Sequence, residues 1–413
     1  MEDVVIIGAG LAGLTCGRYL QEQGRQVVIL EKSRGVGGRL ATRRLPGTIA
    51  DHGAKYLENQ GSHSTELIAY LQQQGIITLW TNTNYEFNHE FTDTEIDPTT
   101  GRDQTKSWKS QTGVDRYVAP LGMSSIAKTL GQGLDIRLSH RVDRVQATDQ
   151  GWQLGLDLPP DSPSIQAKAI VMAIPAPQAL AILSPKSLGG DQSLVQDANR
   201  ELNLGLSLGL NPDFPPDYFQ DYFQDYLTQL AGVTYDGCIT VMAGYAPELQ
   251  GTFASRIPPW QSVTFPADPD LAWLGLDSSK RTPPVQFAKE SADQSVNQSV
   301  NQPVIVCHST PAFAAKYLDS SDPNLDLNAV GQQLLDRASS YLLPELKTPQ
   351  WFQVQRWRYA QPKTALNALC LPAPTPFPLV CCGDWCQGNL IESAIASGKA
   401  AAKSILSAKV QNS

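Results

Sequence analysis

The sequence predicts an α/β fold with a doubly wound parallel sheet and a second lobe built on a mixed sheet. Three observations lead to this prediction. The chain opens with an apolar run, a segment of helical spacing and a second apolar run, which is the pattern of a βαβ unit. Short apolar or alternating runs recur between residues 135 and 173, and one more apolar run precedes an alanine-rich helix near the C-terminus. With 413 residues, the chain is long enough for one large unit with a substantial second lobe, or for two to three domains.

The individual elements follow from these patterns. Residues 3–8 form the first strand, residues 11–23 the helix and residues 26–31 the second strand. Uninterrupted apolar strands are buried on both faces, as in a parallel sheet, and their crossover is right-handed. Turn residues separate further predicted strands, which cover residues 135–138, 141–147, 151–158 and 168–173. A strand over 378–382 and a helix over 389–406 complete the pattern.

The composition is that of a globular protein and excludes several classes of partner. Hydrophobic residues make up 41% of the chain and charged residues 17%, and the net charge of −8 disfavours nucleic acid and anionic membranes. The seven cysteines are an odd number without a disulfide framework, so we expect free thiols in a reducing compartment. The five histidines lack metal-ligand spacing. We expect a cytoplasmic protein with no transmembrane segment, no signal sequence, no bound metal and a small-molecule substrate.

A glycine motif lies between the first strand and the first helix. It reads Gly8-Ala9-Gly10-Leu11-Ala12-Gly13, in which the first glycine allows a tight turn, the second a close approach to a pyrophosphate and the third close helix–strand packing. The amides at the helix N-terminus then face the anion. Glu31 ends the second strand, where it would accept hydrogen bonds from ribose hydroxyls and repel a 2′-phosphate. This pattern predicts a Rossmann-like site for NAD or FAD and disfavours NADP.

A second glycine cluster follows directly, in the segment Glu31-Lys32-Ser33-Arg34-Gly35-Val36-Gly37-Gly38-Arg39. Its glycines permit another close backbone approach, and Arg39 offers a guanidinium fork to a phosphate or a carbonyl. This second cluster favours FAD.

The sequence resembles the FAD-containing amine oxidase superfamily and, within it, the renalase family, over nearly the whole chain. The two glycine motifs and the terminal Gly-Asp and helix are typical of the superfamily, whereas VAPxGxSSI, HST and QRWR are typical of renalases. The resemblance rests on segments that occur in the same order, namely DHGAKYL (51–57), YVAPLGMSSIAK (117–128), SHRVDRV (139–145), MAIPAP (172–177), VIVCHSTPAFAAKYL (304–318), QRWRYAQ (355–361) and CCGDWCQGNLIESAIASG (381–398).

The resemblance implies a noncovalent FAD and assigns roles to the matching positions. Arg39 would lie against the pyrophosphate or flavin, residues 53–56 would line the isoalloxazine, and the Val142 backbone would hold adenine. Asp384 would bind the ribityl chain or pyrophosphate, and residues 389–391 would place a helix N-terminus near flavin N1 and C2=O. The cofactor-binding residues implied are Gly8, Gly10, Ala12, Gly13, Glu31, Lys32, Gly38, Arg39, Gly53, Ala54, Lys55, Tyr56, Val142, Asp384, Asn389, Leu390 and Ile391.

Three residues are candidates for a catalytic or substrate-positioning role, namely His308, Lys55 and Tyr56. A lone histidine after an apolar strand is usually structural, but the resemblance places His308 in a substrate pocket. Lys55 stands where human-type renalases have glutamine, so its cation could stabilise a reduced flavin or point to solvent. The basic pair Lys280-Arg281 is expected in a solvated loop.

Other features are expected to be structural. We expect Cys381, Cys382 and Cys386 to be inert packing residues. The repeat DYFQDYFQDYL over 217–227 predicts an aromatic packing face on a helix, and the repeat SVNQSVNQPV over 295–304 predicts a surface insertion. Insertions relative to animal renalases are expected over 93–112, 212–227 and 284–303.

The resemblance implies an FAD-dependent oxidoreductase that oxidises an isomeric dihydronicotinamide dinucleotide, with oxygen as the acceptor. One alternative is an amine oxidase, whose aromatic cage could use Trp357, Tyr359 and Trp385, or a desaturase of the same superfamily. Another is a noncatalytic FAD-binding redox protein. The expected division assigns residues 1–92, 136–183 and 351–413 to the FAD-binding lobe, 93–135 to a substrate-lobe segment and 184–350 to the substrate domain.

Overall fold

The structure, a computed structural model, describes residues 1–45, 47–87, 108–157, 164–184, 216–254, 260–281, 302–318, 320, 324–388 and 390–408. Its strands are β1 (Glu2–Ile7), β2 (Val27–Glu31), β3 (Thr42–Leu45), β4 (Thr48–Asp51), β5 (Leu57–Glu58), β6 (Thr78–Phe87), β7 (Trp108–Val118), β8 (Asp135–Leu138), β9 (Val142–Thr148), β10 (Gly151–Leu156), β11 (Ile165–Met172), β12 (Thr234–Gly244), β13 (Ser262–Thr264), β14 (Leu271–Leu276), β15 (Val304–Ser309), β16 (Trp351–Thr364), β17 (Leu371–Pro372) and β18 (Leu379–Cys381). Its helices are α1 (Leu11–Glu22), α2 (Ser62–Gln73), α3 (Ser124–Leu130), α4 (Ala176–Leu183), α5 (Pro216–Ala231), α6 (Gln250–Ala254), α7 (Pro311–Leu318), α8 (Leu327–Tyr341) and α9 (Leu390–Ser407).

The chain divides into two compact units. The first contains Met1–Gly38, Ala127–Tyr235 and Gln361–Ser413, and the second contains Arg39–Ile126 and Asp236–Ala360. The second unit thus begins at Arg39, whereas the sequence assigned residues up to 92 to the FAD-binding lobe. Compactness does not decide which segments serve the cofactor, so the assignment of the lobes stays a prediction.

The first unit is the predicted α/β fold. Its sheet has the order β17-β18-β11-β1-β2-β8, and the pairs β18–β11, β11–β1, β1–β2 and β2–β8 are parallel. The antiparallel strands β9 and β10 continue from β11. Four consecutive residues of β1, from Val4 to Ile7, are buried, which confirms the prediction made from their apolar run.

The two ends of the chain pack together within the first unit. Helix α9 lies so close to α1 that a Cβ atom on Gly398 would be 2.4 Å from the carbonyl oxygen of Ala12. Only glycine permits this approach. The predicted closure of the first unit by a strand and helix near the C-terminus is therefore confirmed.

Helix α5 carries the first of the two repeats. Phe223 and Tyr226 are buried, and the Tyr226 hydroxyl donates to Cys381 Sγ at 3.0 Å, whereas Tyr222 is 49% exposed. The aromatic packing face is confirmed for these two residues. The side chains of Tyr218 and Phe219 lie outside the described residues, as do most of the SVNQ repeat and most of the expected insertions over 93–112 and 284–303.

The second unit is built on a mixed sheet of order β16-β12-β15-β14-β13-β6-β7-β5. In this sheet β13 and β6 are parallel, whereas the pairs β12–β15, β15–β14, β14–β13, β6–β7 and β7–β5 are antiparallel. One face of this sheet belongs to the hydrophobic core and includes Val241, Cys307 and Leu274. Because side chains alternate along a strand, Thr240, His308 and Trp273 share the opposite face, where they are paired across three neighbouring strands. We call this the polar face of the second sheet.

Among the described residues, no helix combines the length and the hydrophobicity needed to cross a bilayer. All seven cysteines are free thiols, as expected.

Candidate active site

The glycine motif of the first unit forms a bare turn between β1 and α1. Gly8 has φ +104°, and a Cβ there would be 2.6 Å from the carbonyl oxygen of Ala173; a Cβ on Gly13 would be 2.0 Å from that of Gly8. These two glycines are required by packing. A Cβ on Gly10 would meet no atom within 4 Å, so Gly10 borders open space, as the pyrophosphate role requires.

The second glycine cluster packs directly on the first. The Gly37 amide donates to the carbonyl oxygen of Ala9 at 2.8 Å, and a Cβ on Gly38, which has φ +54°, would be 3.5 Å from Gly10 Cα. Helix α1 starts after Gly10 and has no side-chain cap, so its first amides remain available to an anion. Two glycine loops and a helix N-terminus thus surround one position.

Glu31 links the two glycine loops, residues 8–13 and 31–39, which we call the glycine cradle. Its carboxylate accepts from the Ala9 amide at 2.9 Å and from the Ser33 amide at 2.8 Å. Each carboxylate oxygen has a second lone pair, so both retain capacity for a ribose hydroxyl. The role of Glu31 toward ribose stays a prediction, and its observed role is to fix the two loops. Lys32 instead reaches Gln178 Oε1 at 3.3 Å.

Two further segments of the first unit carry predicted cofactor residues. Val142 is buried on β9, next to a turn in which Ser139 has the left-handed φ of +59°. The Ser139 amide donates to the carbonyl oxygen of Ser33 at 3.0 Å. Asp384 is buried just after β18. Asn389 lies outside the described residues, as does the side chain of Leu390, and Ile391 is partly buried at the start of α9.

In the second unit, the predicted flavin-lining turn is folded against Arg39. The Ala54 amide donates to the carbonyl oxygen of Arg39 at 2.8 Å, and a Cβ on Gly53 would be 2.0 Å from the same oxygen. Arg39 Nη1 donates to the carbonyl oxygen of Ala360 at 3.2 Å. Packing therefore requires glycine at position 53, whatever ligand the turn contacts.

A buried ion cluster fixes the start of this turn. It consists of Asp51, Asp277, Lys280 and Arg281, whose side chains are between 0% and 5% exposed. Arg281 Nη2 lies 2.9 Å from Asp51 and 2.7 Å from Asp277, and Lys280 Nζ lies 2.7 Å from Asp277 and 3.4 Å from Asp51. The expectation of a solvated Lys280-Arg281 loop is wrong, because two carboxylates neutralise the basic pair and allow its burial.

The ion cluster also joins the segments on which the family resemblance rests. Asp51 accepts from the Thr42 hydroxyl at 2.6 Å and from the Met123 amide at 2.9 Å, while Arg281 donates to the carbonyl oxygen of Ala119 at 3.3 Å. Burial alone would raise the pKa of Asp51, but Arg281 and Lys280 outweigh it and lower the pKa to about 2. The carboxylate is therefore ionised at neutral pH.

Lys55 extends from the turn over the indole of Trp273, with Nζ 5.0 Å from the ring centroid. Burial lowers the pKa of Lys55 to about 8, partly offset by Cys238 and Glu58. Glu58 is held by Arg116 at 2.9 Å. The guanidinium of Arg116 also lies 5.3 Å from the Tyr56 ring, and burial raises the pKa of the Tyr56 hydroxyl.

His308 lies on the polar face beside Trp273, with ring centroids 5.1 Å apart. Its Nε2 atom is buried and has no hydrogen-bond partner among the described residues, which is unusual for a native protein. Burial, assisted by Lys55, holds the pKa of His308 well below its usual range, so the imidazole is neutral at pH 7. The structure brings the predicted residues Lys55 and His308 to the same indole.

His52 precedes the flavin-lining turn and stacks on Trp357, with centroids 5.4 Å apart; the Trp357 indole also donates to the His52 carbonyl oxygen at 2.8 Å. Burial and Arg43 lower the pKa of His52 to about 4.

Trp385 was a candidate for the aromatic cage of the amine oxidase alternative. It is buried in the first unit and donates its indole N–H to the carbonyl oxygen of Ile174. It offers no exposed aromatic surface.

The cysteines near the C-terminus behave as packing residues. Burial raises the pKa values of Cys381 and Cys386 to about 12 and holds the pKa of Cys382 well above its ordinary value, so these thiols are poor nucleophiles.

Sequence reasoning did not single out Trp273, Gly275 or Asp277. Asp277 stands three and four residues before the basic pair, a spacing that brings the side chains together on one helical turn and could have signalled the ion cluster. The alternation WLG over 273–275 could have signalled a large ring lying over a glycine, because those two residues share one face of a strand.

The fold and the glycine cradle define a dinucleotide-binding protein with a second, mixed-sheet unit. A family model for the NAD(P)-binding Rossmann-like domain matches residues 6–73, and one for flavin-containing amine oxidoreductases matches residues 105–210. Over these two segments the chain is similar to flavin-containing amine oxidoreductases, and this similarity implies FAD as its cofactor. The bare glycine turns, the uncapped start of α1 and the position of Glu31 fit the pyrophosphate half of such a dinucleotide.

Similar proteins include oxidases with different substrates. The chain is 32% identical over 100 residues to (S)-6-hydroxynicotine oxidase of Paenarthrobacter nicotinovorans, a match that covers 24% of this chain and 23% of that protein. It is 37% identical over 77 residues to putrescine oxidase of Kocuria rosea, covering 19% and 16%. These matches span less than a quarter of either relative.

Solved structures of low sequence identity share the fold. A putrescine oxidase bound to putrescine aligns with a TM-score of 0.60 at 13% identity, over 98% of this chain and 99% of that chain. Cyclohexylamine oxidase from Brevibacterium oxydans gives a TM-score of 0.60 at 13% identity, over 98% of both chains.

Proposed function

We propose that the protein is an FAD-dependent oxidoreductase of renalase type, which oxidises an isomeric dihydronicotinamide dinucleotide with oxygen as the acceptor. The observation that carries this proposal is the charge around Lys55. Lys55 is a cation at neutral pH, the neighbouring His308 is neutral, and Glu58 is held by Arg116. This surrounding favours a neutral ring with anionic phosphates over a substrate that arrives as an ammonium ion.

The residues of the chain have distinct roles in this proposal. The glycine cradle and the first turn of α1 hold the FAD pyrophosphate, and Glu31 fixes that cradle. Lys55 attracts the anionic part of the donor, and His308 offers an imidazole for a hydrogen bond to its carboxamide. Hydride transfer from a dihydronicotinamide needs orientation and no general base, which agrees with the neutral state of His308. FAD, when bound, supplies hydride acceptance and reoxidation by oxygen.

Anaerobic mixing with candidate donors tests the proposal. We expect isomeric dihydronicotinamides prepared with borohydride to bleach the flavin absorbance, and aliphatic amines to leave it unchanged. Lys55→Gln should weaken the apparent donor affinity by about 10- to 100-fold, since one charge-assisted contact is worth about 1.5–3 kcal/mol. Lys316→Gln is the matched control, because Lys316 is an exposed lysine of the same unit, 3.4 Å from Asp270.

The outcomes separate the alternatives. Bleaching by amines alone would remove the dihydronicotinamide proposal. An unreduced flavin with every donor would favour a noncatalytic FAD-binding role. Equal effects of the Lys55 and Lys316 variants would refute the role of Lys55 in donor binding.

An amine oxidase is the second candidate function, because the names of the putrescine and cyclohexylamine oxidases denote amine substrates. For such a substrate, the pKa of Lys55 near 8 would make reduction rise with pH, since repulsion of an ammonium ion ends when Lys55 loses its proton. A dihydronicotinamide dinucleotide should show the opposite trend across the same pH range. The sign of this pH dependence distinguishes the two candidates.

A further inference from the structure

Trp273 is fully buried on the polar face of the second sheet and is held at both edges. Its indole N–H donates to Ser262 Oγ at 2.8 Å, and Ser262 donates in turn to Asn84 Oδ1 at 2.8 Å. The ring lies over Gly275, where a Cβ would be 2.3 Å from the indole. The indole therefore has one available orientation.

In that orientation the indole meets the two candidate functional side chains. Lys55 Nζ lies 5.0 Å from the ring centroid, and the His308 ring lies 5.1 Å from it. Tryptophan is the aromatic residue whose face attracts a cation best, and the attraction strengthens when both groups are withdrawn from water. Trp273 thus favours the ammonium form of Lys55.

The other groups that act on the charge of Lys55 are either neutral or already paired with another residue. Cys238 on β12 is a thiol whose pKa is raised by burial, so it is neutral at pH 7. Glu58 on β5 is engaged by Arg116 at 2.9 Å, and His308 on β15 is neutral. The indole remains as a neighbour that stabilises the cation without being neutralised by another group.

We propose that Trp273 is a positioning residue that holds Lys55 as an ammonium ion beside His308, so that the donor meets a fixed cation. Its link to the donor rests on the proposed function, whereas its effect on Lys55 does not.

The test measures Lys55 directly in the FAD-loaded protein. Reductive methylation with ¹³C-formaldehyde labels the lysines and keeps their charge, and the signal that Lys55→Gln removes is that of Lys55. We expect Trp273→Phe to lower the titration midpoint of this signal by several tenths of a pH unit, and Trp273→Leu by about 0.5 to 1 unit. Trp260→Phe is the matched control, because Trp260 is a buried tryptophan in the hydrophobic core of the same unit.

Ser262→Ala supplies a second variant that keeps the indole and releases one edge of it. It should shift the Lys55 midpoint in the same direction by a smaller amount. An unchanged midpoint in both Trp273→Phe and Ser262→Ala, or an equal shift in Trp260→Phe, would overturn the proposal.

The experiment separates this proposal from the proposed function. If Trp273→Phe shifts the midpoint while no dihydronicotinamide reduces the flavin, the positioning role stands and the renalase-type activity fails. If the donors reduce the flavin while the midpoint stays fixed in the Trp273 and Ser262 variants, the positioning role fails.

Discussion

Replacing Asp51 by asparagine should destabilise the protein far more than removing a carboxylate from a partly exposed ion pair would. Oδ1 of Asp51 accepts from Thr42 and Met123, and Oδ2 faces Arg281 at 2.9 Å and Lys280 at 3.4 Å. An asparagine can keep the first pair of hydrogen bonds, but its NH₂ group then points at two cations. Because the side chains are buried, we expect a loss of about 3–5 kcal/mol in the free energy of unfolding.

Urea unfolding followed by circular dichroism measures this loss. Asp270→Asn is the control, since its ion pair with Lys316 is partly exposed and should be worth about 0–1 kcal/mol. The double variant Asp51→Asn with Lys280→Met restores charge balance, so we expect it to be more stable than additivity predicts by at least about 1 kcal/mol. Additive losses, or equal losses in the two asparagine variants, would refute the reasoning.

The same carboxylate predicts a pH window. The pKa of Asp51 is lowered from 3.8 to about 2 in the folded protein, so its contribution is present above pH 3.8 and is lost as the pH falls toward 2. Asp51→Asn should abolish this part of the acid dependence of stability.

Three further outcomes are expected. Gly10→Ala should fold normally but lose FAD absorbance, because its Cβ meets only open space in the protein; Gly251→Ala, with equally free surroundings, should keep the flavin. The pKa of His52 is lowered from 6.5 to about 4, so the unfolded chain takes up the proton at a higher pH than the folded protein does. The melting temperature should therefore decrease as the pH is lowered from 6.5 to about 4, and it should decrease less in His52→Gln. Gly398→Ala should lower the melting temperature, because its Cβ would clash with the Ala12 carbonyl oxygen at 2.4 Å.

Local patterns predicted the first unit well. The apolar runs of β1 and β2 and the glycine motif between them depend on neighbours in sequence, and their bounds agree with the structure within one or two residues. The strand over 168–173 starts earlier, at Ile165, because the polar positions of β11 alternate with buried ones and conceal its beginning.

The second unit was harder to predict because its important contacts join residues far apart in the chain. Nothing near Lys280 and Arg281 indicates that Asp51 approaches them, so a basic pair in a polar segment was interpreted as solvated. Similarly, the significance of Trp273 depends on Lys55, which reaches it from a distant turn. Such tertiary pairings leave no periodic signal in the sequence.

The packing of α9 on α1 has a consequence for biosynthesis. The ribosome releases β1 and α1 well before α9, which contains Gly398, so α1 must wait for the helix on which it packs. At about 5–20 residues per second the wait is on the order of tens of seconds. During that time the side of α1 that packs on α9 stays exposed, so we expect the nascent chain to bind chaperones and the removal of α9 to destabilise the first unit.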